Sequence, residues 1–109
     1  MSFRLVITDA AFFDMRQSYR WQAERSRAAA DRWRAALSTA VQSLADNPDR
    51  CPLSTDPDLA GLGIRELLHG KRSRMHRVFF RILADVVEIL RVRHASQDTL
   101  SAEDIGISE

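Results

Sequence analysis

The chain of 109 residues has one cysteine, Cys51, and no long apolar run. A single thiol excludes an internal disulfide, so a reducing cytoplasm is the expected location. No group of Cys and His has the spacing of a zinc site, and neither a metal nor another cofactor is expected. No apolar run approaches the ~20 residues of a membrane-spanning helix, and the apolar segment at the N-terminus is too short for a signal peptide. The length predicts a single domain over residues 1–109.

The net charge of +1 hides an uneven distribution of charge along the chain. Residues 1–61 are neutral, whereas residues 62–94 carry eight Lys or Arg against three acidic residues, a net charge of +5. Residues 95–109 form an acidic tail with a net charge of −4. A basic block of this kind indicates an anionic partner, either nucleic acid or an acidic protein segment.

Residues 77–94 predict a β-hairpin, because two β-branched and aromatic runs meet at a two-residue turn at 84–85. Alternation along each strand places Arg77 and Arg81 on one face, and likewise Arg91 with Arg93. The turn sets Arg81 opposite a glutamate, Glu88, as an ordinary cross-strand pair. Arg77 and Arg93 have no evident acidic partner in this pattern, so both are expected to meet a binding partner.

The remaining pattern predicts an α+β fold, with a helical hairpin packed on a mostly antiparallel four-stranded sheet in the order β-α-α-β-β-β. Thr8 or Asp9 caps a helix that begins at Ala10, and Ser26 caps a second helix. That second helix carries a clear apolar stripe at helical spacing. Its members are Trp33, Leu37, Ala40, Val41 and Leu44. The predicted strands are residues 3–8, 64–68, 75–83 and 86–94.

The two helices also carry large aromatic residues with different expected surroundings. Phe12 and Trp33 are candidates for the core. Trp21 lies off the apolar stripe of the first helix and is expected to be exposed, where a partner would cover it.

An ordered set of short motifs covers residues 3 to about 100. Its members are Ala28-Ala29, Trp33, Leu44, Pro48, Arg50-Cys51-Pro52, Ile64-Arg65-Glu66-Leu67, His76, Arg77-Val-Phe-Phe-Arg81, Ile89-Leu-Arg-Val-Arg-His94, Ser96 and Asp98. This set resembles the RelE/ParE superfamily of bacterial toxins from type II toxin–antitoxin, or plasmid stabilisation, modules. The resemblance implies both this fold and a toxin role.

Two activities occur within the superfamily, and the residues favour one of them. RelE-like members resemble ribosome-dependent ribonucleases, and Arg65 and Arg77 match two of their basic positions. Leu67 replaces a further basic residue, however, and Ser96 stands about where a RelE-like arginine is expected. Tyr19 is the one tyrosine, so the late tyrosine of that pattern is missing. The ending of the hairpin looks more like the ParE branch, whose members poison DNA gyrase.

The sequence therefore predicts a ParE-like toxin that inhibits DNA gyrase and is neutralised by a cognate antitoxin. One alternative is a RelE-like mRNA endoribonuclease acting at the ribosome, with Arg65, Arg77 and His94 as catalytic residues. Arginine is a poor base, so His94 would take the proton in that case. A second alternative is an inactive toxin-fold protein that only binds an antitoxin. No small-molecule ligand and no membrane is expected.

The predicted target-binding surface is a patch of side chains from adjacent strands. If the register permits, Arg65, Arg77, Arg93 and His94 converge on it, and acidic residues of the antitoxin meet Arg77 and Arg93. The complete predicted set is Arg65, Arg77, Arg81, Arg91, Arg93, His94, Ser96 and Asp98.

Overall fold

The computed structural model describes residues 2–71, 75–95 and 102–106. None of the helices in these ranges is long and apolar enough to cross a membrane. The longer elements are β1 (Arg4–Ile7), α1 (Asp9–Ala23), α2 (Arg27–Gln42), β2 (Arg65–His69), β3 (His76–Leu83) and β4 (Val86–His94). Two short helices, α3 (Pro57–Gly61) and α4 (Ala102–Ile105), and two 3₁₀ turns, Ser43–Ala45 and Pro48–Arg50, complete the described chain.

The strands form one sheet in the order β1-β4-β3-β2. β1 runs parallel to β4, and the other two pairings are antiparallel. The predicted α+β fold with a mostly antiparallel four-stranded sheet is therefore confirmed. The predicted turn is also confirmed, because Leu83 pairs with Val86 and Arg81 with Glu88. The short helices α3 and α4 were not predicted.

The register of β3 against β4 shifts by one residue in the middle of the hairpin. Phe79 pairs with Arg91 while Phe80 pairs with Ile89, so Leu90 is an extra residue on β4. A bulge of this kind changes which side chains of the two strands share a face. On one side of the bulge Arg81 pairs with Glu88, and on the other side Arg77 pairs directly with Arg93.

Each face of the sheet carries its own apolar cluster. On one face, Leu37 and Val41 of α2 pack in a buried cluster with Val78, Phe80 and Ile89 of the central strands. On the other face, Phe79 and Leu90 belong to a smaller buried cluster with residues of the segments that follow α2 and β4. These are Leu59, Ile64 and Ile105. The sheet is thus covered on both sides, and the helical hairpin covers the larger cluster.

The helix caps and the exposed aromatic side chains settle the orientation of α1. Thr8 Oγ1 accepts a hydrogen bond from the Ala11 amide at 3.2 Å, as expected for an N-cap. Ala11 is fully buried, whereas Phe12 is 49% exposed, so the prediction that Phe12 lies in the core is wrong. Successive helical residues are rotated by about 100°, and the small Ala11 faces the sheet in its place. Trp21 is 58% exposed, as predicted.

The packing of α2 against the sheet leads to a prediction about the stability of the protein. Leu37 is 2% exposed within the larger cluster, so Leu37→Ala leaves a cavity and is expected to lower the free energy of unfolding by about 2–5 kcal/mol. The control is Ser38→Ala, an exposed change on the same helix, which is expected to stay within about 0.5 kcal/mol. Urea denaturation measures both, and a loss below ~1 kcal/mol for Leu37→Ala would contradict this packing.

Candidate functional site

Arg77 forms a buried ion pair with Glu66, and this corrects the prediction that it has no acidic partner. Its Nε donates to Glu66 Oε1 at 2.7 Å and its Nη2 to Oε2 at 2.8 Å. Ser54 Oγ donates to the same Oε2 at 2.5 Å. Glu66 lies opposite Phe79 in the register of β2 with β3, so Arg77 is its diagonal neighbour. The pattern of the hairpin alone does not include this third strand.

The surroundings of Glu66 hold its carboxylate in the charged state. Burial by itself raises the pKa of Glu66, but the hydrogen bonds from Arg77 and Ser54 and the charge of Arg77 outweigh it, so the pKa lies below its ordinary value of 4.5. The hydrogen bond with Glu66 in turn raises the pKa of Arg77. The pair is 7% exposed at the Glu66 side chain and 17% at Arg77, and it links β2 to β3.

Arg91 is bound to the carboxylate of Asp14 on α1. Its Nε and Nη2 donate to the two Asp14 oxygens at 2.7 and 2.8 Å, and the Val92 amide donates to Asp14 Oδ2 at 3.0 Å. Arg91 Nη1 also donates to the Asp104 carbonyl at 2.8 Å. The hydrogen bond with Asp14 raises the pKa of Arg91. One carboxylate therefore binds both a side chain and the backbone of β4.

Two more of the predicted arginines are also bonded within the protein. Arg81 Nε donates to Glu88 Oε1 at 2.6 Å, which confirms the predicted cross-strand pair. Arg65 Nη1 donates to the carbonyl of Cys51 at 2.6 Å and more weakly to that of Asp49 at 3.4 Å. Arg65 thus fastens the loop before α3 to the start of β2.

Arg93 differs from the other four. Its Nε is buried and has no hydrogen-bond partner among the residues that the structure describes. A buried donor without a partner is unfavourable, at a cost of about 1–3 kcal/mol. Most buried donors in native proteins are hydrogen-bonded, so this N–H is a candidate for a bond to a binding partner.

Arg93 lines a groove of about 1200 Å³ at the end of the sheet, where the end of β4 meets the turn between α1 and α2. The groove has aromatic side chains along α1 and α2 and several cations around them. The residues that define this end-of-sheet groove are Phe13, Asp14, Gln17, Ser18, Trp21, Gln22, Arg25, Ser26, Ala29, Arg32, Trp33, Gly70, Lys71, His76, Arg91, Val92, Arg93 and His94.

Three rings in contact with one another form part of this groove. The rings of Trp33 and His76 lie 5.0 Å apart, and those of His76 and His94 lie 5.3 Å apart with an edge-to-face arrangement. His76 Nε2 is 3.0 Å from Ser18 Oγ, which binds it to α1. Trp33 Nε1 is a second buried donor without a partner among the described residues. The groove is thus lined by two residues that each hold an unsatisfied buried N–H.

The structure divides the predicted site residues between different places. Arg91, Arg93 and His94 line the end-of-sheet groove, whereas Arg77 lies with Glu66 at a separate, smaller concavity of about 600 Å³. The four side chains expected in one patch therefore do not share a pocket. Arg81 and Arg65 line neither concavity. Ser96 and Asp98 lie outside the described residues.

Sequence reasoning did not find the contributions of α1 and α2 to the groove. Arg25 stacks over the Trp21 ring at 3.8 Å, and Arg32 also lines the cavity. The exposed position of Trp21 was the one signal that pointed to this surface. Trp33 was assigned to the core, and only the structure shows that its indole N–H lacks a partner.

The described residues offer little for other chemistry. No group of three or more His, Cys, Asp or Glu among them is placed to hold a metal ion. Burial raises the pKa of the Cys51 thiol above its ordinary value, although Arg50 and Arg65 act against this. A raised pKa disfavours the thiolate that a nucleophile needs.

Residues 5–99 match the family model described as the ParE toxin of the type II toxin–antitoxin system, parDE. The chain belongs to the ParE toxin family. No curated protein sequence matches it. The predicted membership of the RelE/ParE superfamily, in its ParE-like branch, is thereby confirmed, and the toxin is one of a type II toxin–antitoxin system.

Solved structures share the fold of this ParE-family chain. One is the chromosomal ParDE toxin–antitoxin system from P. aeruginosa, with a TM-score of 0.71 and 19% identity over 85% of this chain and 96% of that one. Another is the toxin–antitoxin complex RelBE2 from Mycobacterium tuberculosis, with a TM-score of 0.55 and 23% identity over 89% and 95%. At these low sequence identities, the similarity shows that the structures share a fold.

The Glu66–Arg77 pair makes the second stability prediction. Arg77→Ala leaves a buried carboxylate without its partner and is expected to destabilise the protein by roughly 3 kcal/mol. The control is Arg16→Ala, which removes an exposed arginine from α1 and is expected to change stability by less than ~0.5 kcal/mol. Equal stability of the two variants in urea denaturation would show that the pair does not hold β2 to β3.

The lowered pKa of Glu66 also predicts how stability depends on pH. In the unfolded chain Glu66 takes up a proton near its ordinary pKa of 4.5, and in the folded protein only at lower pH. Its contribution is complete above that ordinary value and is lost as the pH falls through the folded pKa. The free-energy gap between the wild type and Glu66→Gln should therefore shrink between pH 7 and pH 3. A gap that is constant over this range would refute the assignment.

Proposed function

We propose that this ParE-family toxin inhibits DNA gyrase and that a cognate antitoxin neutralises it by covering the end-of-sheet groove. The family match over residues 5–99 is the observation that carries the proposal. The similar structures are those of toxin–antitoxin systems, which supports an antitoxin as the partner. The groove supplies an exposed surface with aromatic and cationic side chains, as a protein-binding site requires.

The geometry favours binding over RNA cleavage. A ribonuclease needs a proton acceptor near cations that can neutralise the developing charge on the phosphate. Of the three residues considered for that role, Arg77 donates to Glu66 and Arg65 to the Cys51 carbonyl. Their guanidinium groups are thus occupied by the protein itself. His94 lines a different surface from both.

Inhibition of an enzyme by binding makes a different demand on the protein from catalysis. It requires a rigid surface of matching shape and charge, and no group of tuned proton affinity. The groove fulfils this demand because α1 is held to β4 through Asp14. Such a surface supports the proposal that the toxin inhibits gyrase by binding and does not cleave RNA.

Purified protein is expected to inhibit the supercoiling of relaxed plasmid by DNA gyrase, and the antitoxin is expected to restore it. Relaxation of supercoiled plasmid by topoisomerase I, measured in the presence of the same purified protein, serves as the matched control and should be unaffected. Cleavage of mRNA in a ribosome-dependent translation system is measured in parallel and is expected to be absent.

Two other results would contradict this proposal. Ribosome-dependent cleavage without gyrase inhibition would establish the nuclease alternative. Neither activity, together with normal growth of cells that express the protein without its antitoxin, would indicate an inactive antitoxin-binding protein.

A further inference from the structure

We infer that the end-of-sheet groove binds an acidic segment of the antitoxin, with Arg93 holding one carboxylate of that segment and the Trp33 indole N–H holding a second acceptor. This inference rests on the proposed function and specifies the residues and the chemistry of the partner. It starts from the contrast among the arginines of the sheet, of which Arg93 alone has a buried and unpartnered Nε among the described residues.

The charge of the groove sets the chemistry of its occupant. Its lining includes Arg25, Arg32, Lys71, Arg91 and Arg93, and among the residues that the structure describes Asp14 is the one carboxylate in that lining. Asp14 is already bound in a bidentate pair to Arg91. The other four cations are therefore not neutralised by the lining, and an acidic segment complements them.

The two buried donors, Arg93 Nε and Trp33 Nε1, require hydrogen-bond acceptors at two separate points of the groove. Trp33 lies beside His76 over the helical face of the sheet. Arg93 projects to the opposite side from its neighbours Val92 and His94, because side chains alternate along a strand. A segment that passes across the end of β4 reaches both. A guanidinium and a carboxylate pair as planar forks, so an Asp or Glu suits Arg93 best.

In the toxin alone, both donor atoms are inaccessible to water. An arriving acceptor therefore requires a small movement of each side chain into the open groove. Such movement is favourable, because it exchanges an unsatisfied buried N–H for a hydrogen bond.

The aromatic wall of the groove specifies the rest of the segment. Phe13, Gln17 and Trp21 follow one another at a spacing of four residues along α1 and line the groove together. Phe13 is 55% and Trp21 58% exposed. Apolar residues interspersed with the acidic ones pack against this ridge. This favours a peptide over double-helical nucleic acid, whose bases are stacked in its interior. A single strand, whose bases can stack on exposed rings, is tested below as a competitor.

The test compares the affinity of the purified antitoxin for the wild-type toxin, Arg93→Gln and Arg16→Gln. Arg93→Gln is expected to weaken binding at least about tenfold, with a melting temperature no lower than that of the wild type, because the substitution removes a buried donor that has no internal hydrogen bond. Arg16→Gln loses the same charge from an exposed site on α1 outside the groove. It is expected to bind within about twofold of the wild type.

A direct readout of the second donor is the indole N–H resonance of Trp33 in a ¹⁵N correlation spectrum, assigned with Trp21→Phe. It is expected to move downfield when the antitoxin is added, as a new hydrogen bond requires. A tight complex in which Arg93→Gln binds like Arg16→Gln, or in which the Trp33 resonance does not move, overturns the inference and leaves the proposed function standing. Absence of any complex with the wild type overturns the proposed function itself.

Nucleic acid is the alternative class of partner, and it is tested as a competitor in the same experiment. A 20-nucleotide single-stranded DNA is titrated against the wild type and Arg93→Gln. Binding of this DNA that depends on Arg93, with antitoxin binding that does not, also overturns the inference.

Discussion

The architecture depends most on the carboxylate of Asp14, which bonds to the edge of β4 beyond the end of β1. β1 pairs with β4 only as far as Ile89, and among the described residues no strand lies beside the C-terminal part of β4 on that side. Asp14 accepts the Val92 amide there and holds the guanidinium of Arg91. A helix is thereby fixed to a sheet edge by charge-assisted hydrogen bonds, which are about twice as strong as neutral ones. The wall formed by α1 is held beside the end of β4 as a result.

The four arginines of the β3–β4 hairpin divide into two groups by what they bind. Arg77, Arg81 and Arg91 each pair with a carboxylate of the protein and join neighbouring elements. The sequence pattern indicates that these residues form a basic surface, but in the structure their positive charge is largely neutralised by carboxylates of the same chain. Arg93 lines the groove with a buried donor that no described residue satisfies. Of the positive charge of this hairpin, the part that is available to a partner thus lies at the end of β4.

Much of the fold could be predicted from the sequence, and less of the site. A two-residue turn and strand alternation fix the register of a hairpin, which is why the pair of Arg81 and Glu88 was predictable. The pair of Glu66 and Arg77 depends on how β2 aligns with β3 across a long loop, which no local pattern specifies. Phe12 was misassigned because a short apolar stripe defines the direction of a helix only loosely. The short helices α3 and α4 hold too few residues for a periodic signal.

A double-mutant cycle between Asp14 and Arg91 tests most directly whether one carboxylate holds the groove together. The free energy of unfolding is measured for the wild type, Asp14→Ala, Arg91→Ala and the double variant, and the coupling energy follows from the four values. A coupling of about 2 kcal/mol or more is expected, since the pair is bidentate and only 9% exposed at Asp14 and 19% at Arg91. A coupling below ~0.5 kcal/mol would contradict the account, because α1 would then be held to β4 by other contacts.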